Sequence, residues 1–261
     1  MIKNDQKVRF VVVGPGHIGK RHAEMIRRNE EAELVAMVDV LPKEQVGAAD
    51  FEEPFYETIE ELLAANHAFD VACICTPNGL HAEQSIKLLS ANKHVVCEKP
   101  MGLSKDNCEK VIFKSLQMSK HVFCVMQNRY SPPSEWIKSV IDQQLLGDIF
   151  MVQLNCYWNR DERYYKKGGW KGTPDLDGGT LFTQFSHFID IMYWLFGDID
   201  NIQGKFADYT HKDSTAFEDS GFVSFDFVQG GMGSINYSTS VADQNLESSI
   251  TIIGKKGSIK I

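Results

Sequence analysis

The sequence contains no C-x-x-C pair, no excess of basic residues and no apolar run near the roughly 20 residues needed to cross a bilayer. The first absence leaves neither a zinc site nor a disulfide framework supported. The six cysteines are Cys73, Cys75, Cys97, Cys108, Cys124 and Cys156. Most lie inside strand-like apolar runs, so buried free thiols are expected. Lysine and arginine total 27 against 35 aspartates and glutamates, a net charge of −8. That balance argues against a nucleic-acid partner, whose binding would need a basic footprint to displace counterions. The missing apolar run argues against a membrane. The apolar segment that ends at Gly14 is too short for a signal peptide, and the expected location is the cytoplasm. Internal repeats and low-complexity tracts are absent as well.

What is present reads as a globular chain, with 43% hydrophobic and 24% charged residues. Its 261 residues correspond to roughly 1.7 domains at about 150 per domain. Strand-like and helix-like segments alternate through the first half, beginning with the β-branched run Val8–Val13 and the helical spacing of Ile18–Arg28. Apolar runs follow at Leu34–Val38, Val71–Cys75, His94–Cys97 and His121–Val125, with helical stretches at Ile59–Ala65, Leu80–Ser90 and Lys105–Ser119 between them. This alternation predicts parallel βαβ units and a doubly wound Rossmann-type sheet. Past Pro132-Pro133 comes a helix over Ser134–Gln144, then an alternating run from Ile149. One long helix is expected over Leu181–Phe196, then strands near Phe206, Phe222–Phe227, Met232–Tyr237, Ser249–Ile253 and Gly257–Ile261. Strands grouped in this way imply a second, α+β domain on an open, mainly antiparallel sheet. The expected division is residues 1–125 and 126–261.

Between the first strand and the first helix stands Gly14-Pro15-Gly16-His17-Ile18-Gly19, a G-x-G-x-x-G placed where a pyrophosphate would meet a helix N-terminus. Asp39 follows 20 residues after Gly19, at the end of the second strand, where a carboxylate can accept both ribose hydroxyls. A carboxylate there repels a 2′-phosphate, and Val40-Leu41-Pro42 offers no arginine to hold one, so NAD is favoured over NADP; the nearest base is Lys43. Thr76-Pro77-Asn78 and Glu98-Lys99-Pro100 follow the fourth and fifth strands, at the carboxyl ends where open α/β sheets bind ligands. Lys99 reads either as a hydrogen-bond donor to a reacting hydroxyl or as a loop cation paired with Glu98. Thr183, His187 and Asp190 interrupt the apolar 181–196 segment at i, i+4 and i+7, a single helical face. That stripe is either a satisfied core network, with His187 on Asp190, or one wall of a site in which imidazole transfers a proton.

Together these motifs resemble the Gfo/Idh/MocA oxidoreductase family: Gly14–Gly19, Cys75-Thr76-Pro77-Asn78, Glu98-Lys99-Pro100, and Gly178-Gly179 leading through His187 to Asp190. The resemblance implies a Rossmann domain joined to a substrate-binding and oligomerising α/β domain. It also implies oxidation or reduction of a sugar or cyclitol carbinol with bound NAD or NADP. It assigns Lys99 and His187 to the reacting carbinol, His187 as proton acceptor. Gly14, Gly16, His17, Ile18, Gly19, Asp39, Thr76, Pro77, Asn78, His81, Glu98, Lys99 and Gln127 would face the cofactor. Many members carry aspartate four residues before the histidine. This sequence has Thr183 there, which puts a charge relay in doubt and leaves Gln184 or Asp190 to orient the ring.

Within the family, Gln184 and the run Gln127-Asn128-Arg129-Tyr130-Ser131-Pro132 look like the UDP-N-acetylglucosamine (or uronate) 3-dehydrogenases, whose 3-keto products serve 3-amino sugar synthesis for polysaccharide or lipid A. The loop from Asn159 to Thr173 carries Arg160, Arg163, Lys166, Lys167 and Lys171 against Asp161 and Glu162, interleaved with Tyr164, Tyr165 and Trp170. It reads as a wall for a sugar diphosphate or as a solvated or subunit-facing loop. The expected substrate-binding residues are Lys99, Asn128, Arg129, Arg163, Tyr165, Trp170, Lys171, Thr183, Gln184 and His187. Expected partners are a small sugar or nucleotide sugar and further copies of the chain, as a homodimer or homotetramer through the C-terminal sheet. Rival functions are an NAD-dependent glycosidase with transient C3 oxidation and a non-catalytic NAD sensor, the latter resting on Thr183. The chain is short for the family and ends on a strand, so a further C-terminal segment completing the sheet or an oligomer contact is expected.

Overall fold

The computed structural model describes residues 7–261. The chain divides into two compact units, one ending at Val125 and the other spanning Met126–Ile261.

The first unit runs β1 (Val8–Val13), α1 (His17–Arg28), β2 (Ala32–Val38), β3 (Phe55–Tyr56), α2 (Ile59–Ala64), β4 (Val71–Ile74), α3 (His81–Ser90), β5 (His94–Cys97), α4 (Lys105–Gln117) and β6 (Val122–Cys124). Its strands are all parallel, in the order β3-β2-β1-β4-β5-β6. The expected doubly wound sheet is therefore present. Both faces are covered, because alternate residues of each strand feed different cores. Val11, Val13, Ala72 and Ile74 pack with Leu88 and Leu89, whereas Val12, Met37 and Cys73 pack with Ala23 and Ile26. Side-chain caps start two of the helices: Thr58 accepts from the Glu61 N–H and Ser104 from the Asn107 N–H. Strand β3, a two-residue edge, escapes the sequence reading because two residues show no periodicity.

The second unit contains α5 (Pro132–Asp142), β7 (Ile149–Tyr157), α6 (Thr180–Thr183), α7 (Ser186–Phe196), β8 (Ile199–Ala207), β9 (Ser220–Phe227), β10 (Met232–Ser238), β11 (Glu247–Gly254) and β12 (Gly257–Lys260). The sheet order is β12-β11-β7-β10-β9-β8, antiparallel except for the pair β7 and β10. One face is buried. Val152, Leu154, Ile235, Tyr237, Ile250 and Ile252 alternate inward against Ile191, Met192 and Leu195 of α7. On the other face, in-register rows such as Gln153–Ser234–Ser224 remain polar.

The single long helix expected over 181–196 is broken. Helix α6 stops at Thr183 and α7 starts at Ser186. Phe185, wholly buried, drops from the gap into the sheet core, 5.1 Å from the Trp158 ring and 5.4 Å from Tyr237. Thr183 and His187 thus lie on separate helices, not one continuous face. Apolar composition could not show this, since large apolar residues recur on both sides of the break and within it at Phe185. Among the described residues no helix is long and apolar enough to cross a membrane.

Candidate functional site

In the first unit, the order of strands reverses between β1 and β4, which opens a crevice at their carboxyl ends. Gly14 leaves β1 with φ of +83°, and an added Cβ would come 2.8 Å from the Thr76 nitrogen. At Gly19 a Cβ would come 2.2 Å from the Gly14 carbonyl oxygen. The fold itself demands these two glycines. Gly16 is different, because an added Cβ there would meet nothing within 4 Å. It is the N-cap of α1, which has no side-chain cap and no acidic residue in its first turn. Unclaimed N–H donors and the positive dipole end therefore face an open side, as a dinucleotide pyrophosphate requires. His17 is exposed and Ile18 packs beneath the turn.

Asp39 ends this crevice, its Oδ1 accepting the Leu41 N–H at 2.9 Å. The lysines nearest in sequence are turned to carbonyls. Lys43 donates to Glu53 O at 3.4 Å, and Lys20 to Val46 O at 3.0 Å. The loops after β4 and β5 are knit together by His81, whose two ring nitrogens lie 2.7 Å from the Thr76 and Pro100 carbonyl oxygens. Burial lowers the His81 pKa. Asn78 is buried in the single helical turn that follows Pro77, and the Thr76 hydroxyl donates to Gln84 at 2.6 Å.

Glu98 is buried, with Oε1 2.8 Å from His22 Nε2 on α1 and Oε2 accepting the Lys99 N–H at 3.3 Å. The carboxylate thus ties the Lys99 loop to the helix of the glycine turn. Burial pushes its pKa up, but the His22 bond and charge outweigh that and hold it below the usual glutamate value. A carboxyl depressed in the folded state stabilises above its unfolded pKa of about 4.3 and loses that contribution as pH falls through the lower folded value. Glu98→Gln should therefore cost about 1–3 kcal/mol at neutral pH. It should also flatten the acid limb of stability below about pH 4.3, measured as urea midpoints across pH. An unchanged acid limb would refute the assignment.

In the second unit, Gln127–Tyr130 forms a helical turn before α5, with Gln127 exposed and Asn128 half-buried. Arg129 grips Asp190 through both ends of its guanidinium, Nε to Oδ2 at 2.7 Å and Nη2 to Oδ1 at 2.5 Å. This bidentate pair fixes α7 three residues after His187, itself buried. Asp190 is therefore engaged by Arg129 rather than held for the imidazole. The Thr183 hydroxyl bonds the carboxylate of Asp177, which is 1% exposed and also accepts the Gly172 N–H at 2.7 Å. Burial raises the Asp177 pKa against those bonds. A carboxylate missing from position 183 is thus supplied to it from six residues upstream. Sequence reasoning overlooked Asp177 because it sits in a loop; its place just before Gly178-Gly179 was the one available signal.

Gln184 is buried between two partners, accepting from Arg160 Nε at 2.8 Å and donating to the Tyr164 hydroxyl at 2.6 Å. Of the cationic loop, Arg163 is spent on Asp161, with Nη2 2.6 Å from Oδ2. Tyr165 is 4% exposed and packs edge-on against Tyr164 and His211, so its ring is a core element and not a free stacking face. Lys171 sits 3.7 Å above the Tyr164 ring and 5.9 Å from Trp170.

Comparison with known proteins decides the family. The family model described as the Gfo/Idh/MocA oxidoreductase family, NAD-binding Rossmann fold, matches residues 8–125, and its C-terminal domain matches residues 135–260. The chain belongs to the Gfo/Idh/MocA family. The WlbA dehydrogenase of Bordetella pertussis, solved with NADH and UDP-GlcNAcA, superposes with a TM-score of 0.93 at 34% identity, covering 98% of this chain and 74% of that one. The WlbA dehydrogenase of Chromobacterium violaceum, solved with the same two ligands, gives 0.90 at 33% identity, covering 100% of this chain and 76% of the other. The glucose-6-phosphate 3-dehydrogenase of Bacillus subtilis is 29% identical over 71% of this chain and 53% of its own length. This chain thus spans about half of that relative and three quarters of the two solved neighbours.

Proposed function

We propose that this chain is an NAD-dependent dehydrogenase that oxidises a secondary hydroxyl of a sugar, at C3 of a UDP-N-acetylhexosamine or its uronate. The observation that carries this reading is the likeness, along nearly the whole chain, to two dehydrogenases solved with NADH and UDP-GlcNAcA. Bound NAD supplies the hydride acceptor; the protein supplies position and proton transfer. The α1 N-terminus and the open side of Gly16 take the pyrophosphate, with His17 and Ile18 at the turn and Asp39 on the ribose. Thr76, Pro77, Asn78, His81, Glu98 and Gln127 line the rest of the cofactor's path.

Lys99 donates a hydrogen bond to the reacting oxygen, and His187 accepts its proton. Asn128, Thr183, Gln184, Trp170 and Lys171 contribute to sugar recognition. Arg129 and Arg163 serve by holding α7 and the loop respectively, since both are already paired. NAD is preferred over NADP because Asp39 is directed by Leu41 N–H while Lys43 and Lys20 are turned to carbonyls. The Asp177 carboxylate on Thr183 weakens the case for a non-catalytic sensor. Assembly through the polar face of the second sheet, in the cytoplasm, belongs to the same reading.

The test is a screen of UDP-N-acetylhexosamines and their uronates, following absorbance of reduced cofactor. NADH formation with one of them upholds the proposal. Release of free sugar without net NADH would show the glycosidase instead, and failure of every sugar nucleotide to reduce NAD would favour the sensor.

A further inference from the structure

We infer that Arg160 and Lys171, mounted on the ring of Tyr164, form an anion subsite that selects a sugar carrying a carboxylate over its neutral counterpart. This rests on the sugar dehydrogenase reading above and names the chemistry of its substrate. The starting observation is a charge imbalance inside the second unit. Arg160 Cζ lies 4.7 Å from the Trp158 ring centre and 5.2 Å from that of Tyr164, the ring that also carries Lys171. Both cations are half-buried, and burial lowers the pKa of each.

The partners of Arg160 are all uncharged: Gln184 Oε1, the Asn159 carbonyl at 2.6 Å and Asn245 Oδ1 at 3.2 Å. Among the described residues no carboxylate oxygen reaches ion-pair distance of either cation. Arg129 and Arg163, by contrast, are both neutralised by aspartate. Asp177 attracts Lys171 through space, while Arg160 and Lys166 repel it, and Asp177 is no partner of Arg160. Aromatic faces offset part of the desolvation cost of a cation but none of its charge. A half-buried guanidinium left without a carboxylate counter-ion, as at Arg160, makes an arriving anion unusually favourable, because the cost of stripping its water has already been met in folding.

Placement identifies which anion. Arg160 is anchored from below, its N–H on Thr239 O at 2.9 Å and its carbonyl on the ring of His211. Its Nε holds Gln184, three residues before His187. The guanidinium is thereby fixed beside the peptide that carries the proposed proton acceptor, so the group it meets belongs to the reacting sugar ring. A planar guanidinium pairs most strongly with a carboxylate in a two-point contact. A diphosphate could satisfy the same charges, but every nucleotide sugar carries one, whereas only the uronate has a ring carboxylate.

The experiment compares UDP-N-acetylglucosaminuronate with UDP-N-acetylglucosamine in the parent protein, Arg160→Gln and Lys171→Met. The parent should favour the uronate in kcat/KM, and that preference should shrink about 10- to 100-fold in either variant, the scale of one charge-assisted hydrogen bond. Equal losses on both substrates would overturn the inference in favour of diphosphate contact or simple scaffolding. Unchanged preference would overturn it outright. Among the described residues Lys171 has no hydrogen-bond acceptor, so Lys171→Met tests the idea even if Arg160→Gln unfolds. Calorimetric titration of both sugar nucleotides into NAD-loaded protein separates this inference from the activity. Tighter uronate binding that is lost in the variants upholds the subsite even where no NADH forms. Parent protein that binds the two alike refutes it even where NADH does form.

Discussion

His187→Ala is expected to lower kcat by about 100- to 10,000-fold, the usual range for losing a general base, while NAD affinity stays close to that of the parent. The split follows from where the groups reside. His187 is buried on α7 of the second unit, and all the determinants proposed for the dinucleotide except Gln127 belong to the first. Asp39→Ala should show the opposite profile, weakening NAD binding more than it lowers kcat. Steady-state kinetics with the active sugar nucleotide, combined with NAD titration by fluorescence, reads both quantities. A His187 variant that loses NAD but keeps its kcat would reverse the assignment. Replacement by glutamine, which retains size and hydrogen bonding but cannot accept a proton at neutral pH, should be nearly as damaging.

Phe185→Ala carries the largest expected cost in stability, about 3–5 kcal/mol. The ring is wholly buried, and its neighbours Trp158, Phe188 and Tyr237 are themselves packed on the sheet. Such neighbours cannot close over the space of a benzyl group without moving β7 or β10. All four tryptophans, Trp136, Trp158, Trp170 and Trp194, lie beyond Met126, so intrinsic fluorescence in urea follows the second unit alone. A midpoint shift worth less than about 1 kcal/mol would mean that the core collapses around the gap and that Phe185 does not pin the break between α6 and α7. Phe185→Leu, which restores most of the volume, should recover much of the loss.

The two units differ in how far their sequences could be read. In the first, every strand but the two-residue β3 is a short apolar run closed by a turn. Both faces of the sheet are buried, so apolar runs and spacing suffice for those five. The glycine turn is equally local: Gly14 needs its positive φ and Gly19 its close approach whatever surrounds them. In the second unit, the strands were legible from alternation, but the 159–187 region was not. Five cations in one loop look alike in a sequence. In the structure Arg163 folds back on Asp161 two residues away, while Arg160 turns inward to Gln184 and the Tyr164 ring. That choice depends on where the loop meets residues 239–245, as in the Asn159–Ser240 bridge and the bond from Arg160 to Asn245.

Hydrophobic periodicity and backbone geometry are properties of neighbouring residues. From the sequence alone they determined a doubly wound sheet, a one-faced sheet after it, and a turn shaped for a dinucleotide. Pairings between side chains distant along the chain carry no such period. Only the tertiary structure decided that Asp190 belongs to Arg129, that Thr183 borrows the carboxylate of Asp177, and that Gln184 is held by Arg160. Each is a polar group driven to find a partner once burial has removed its water, and which partner lies within reach is known only when the chain has closed around it.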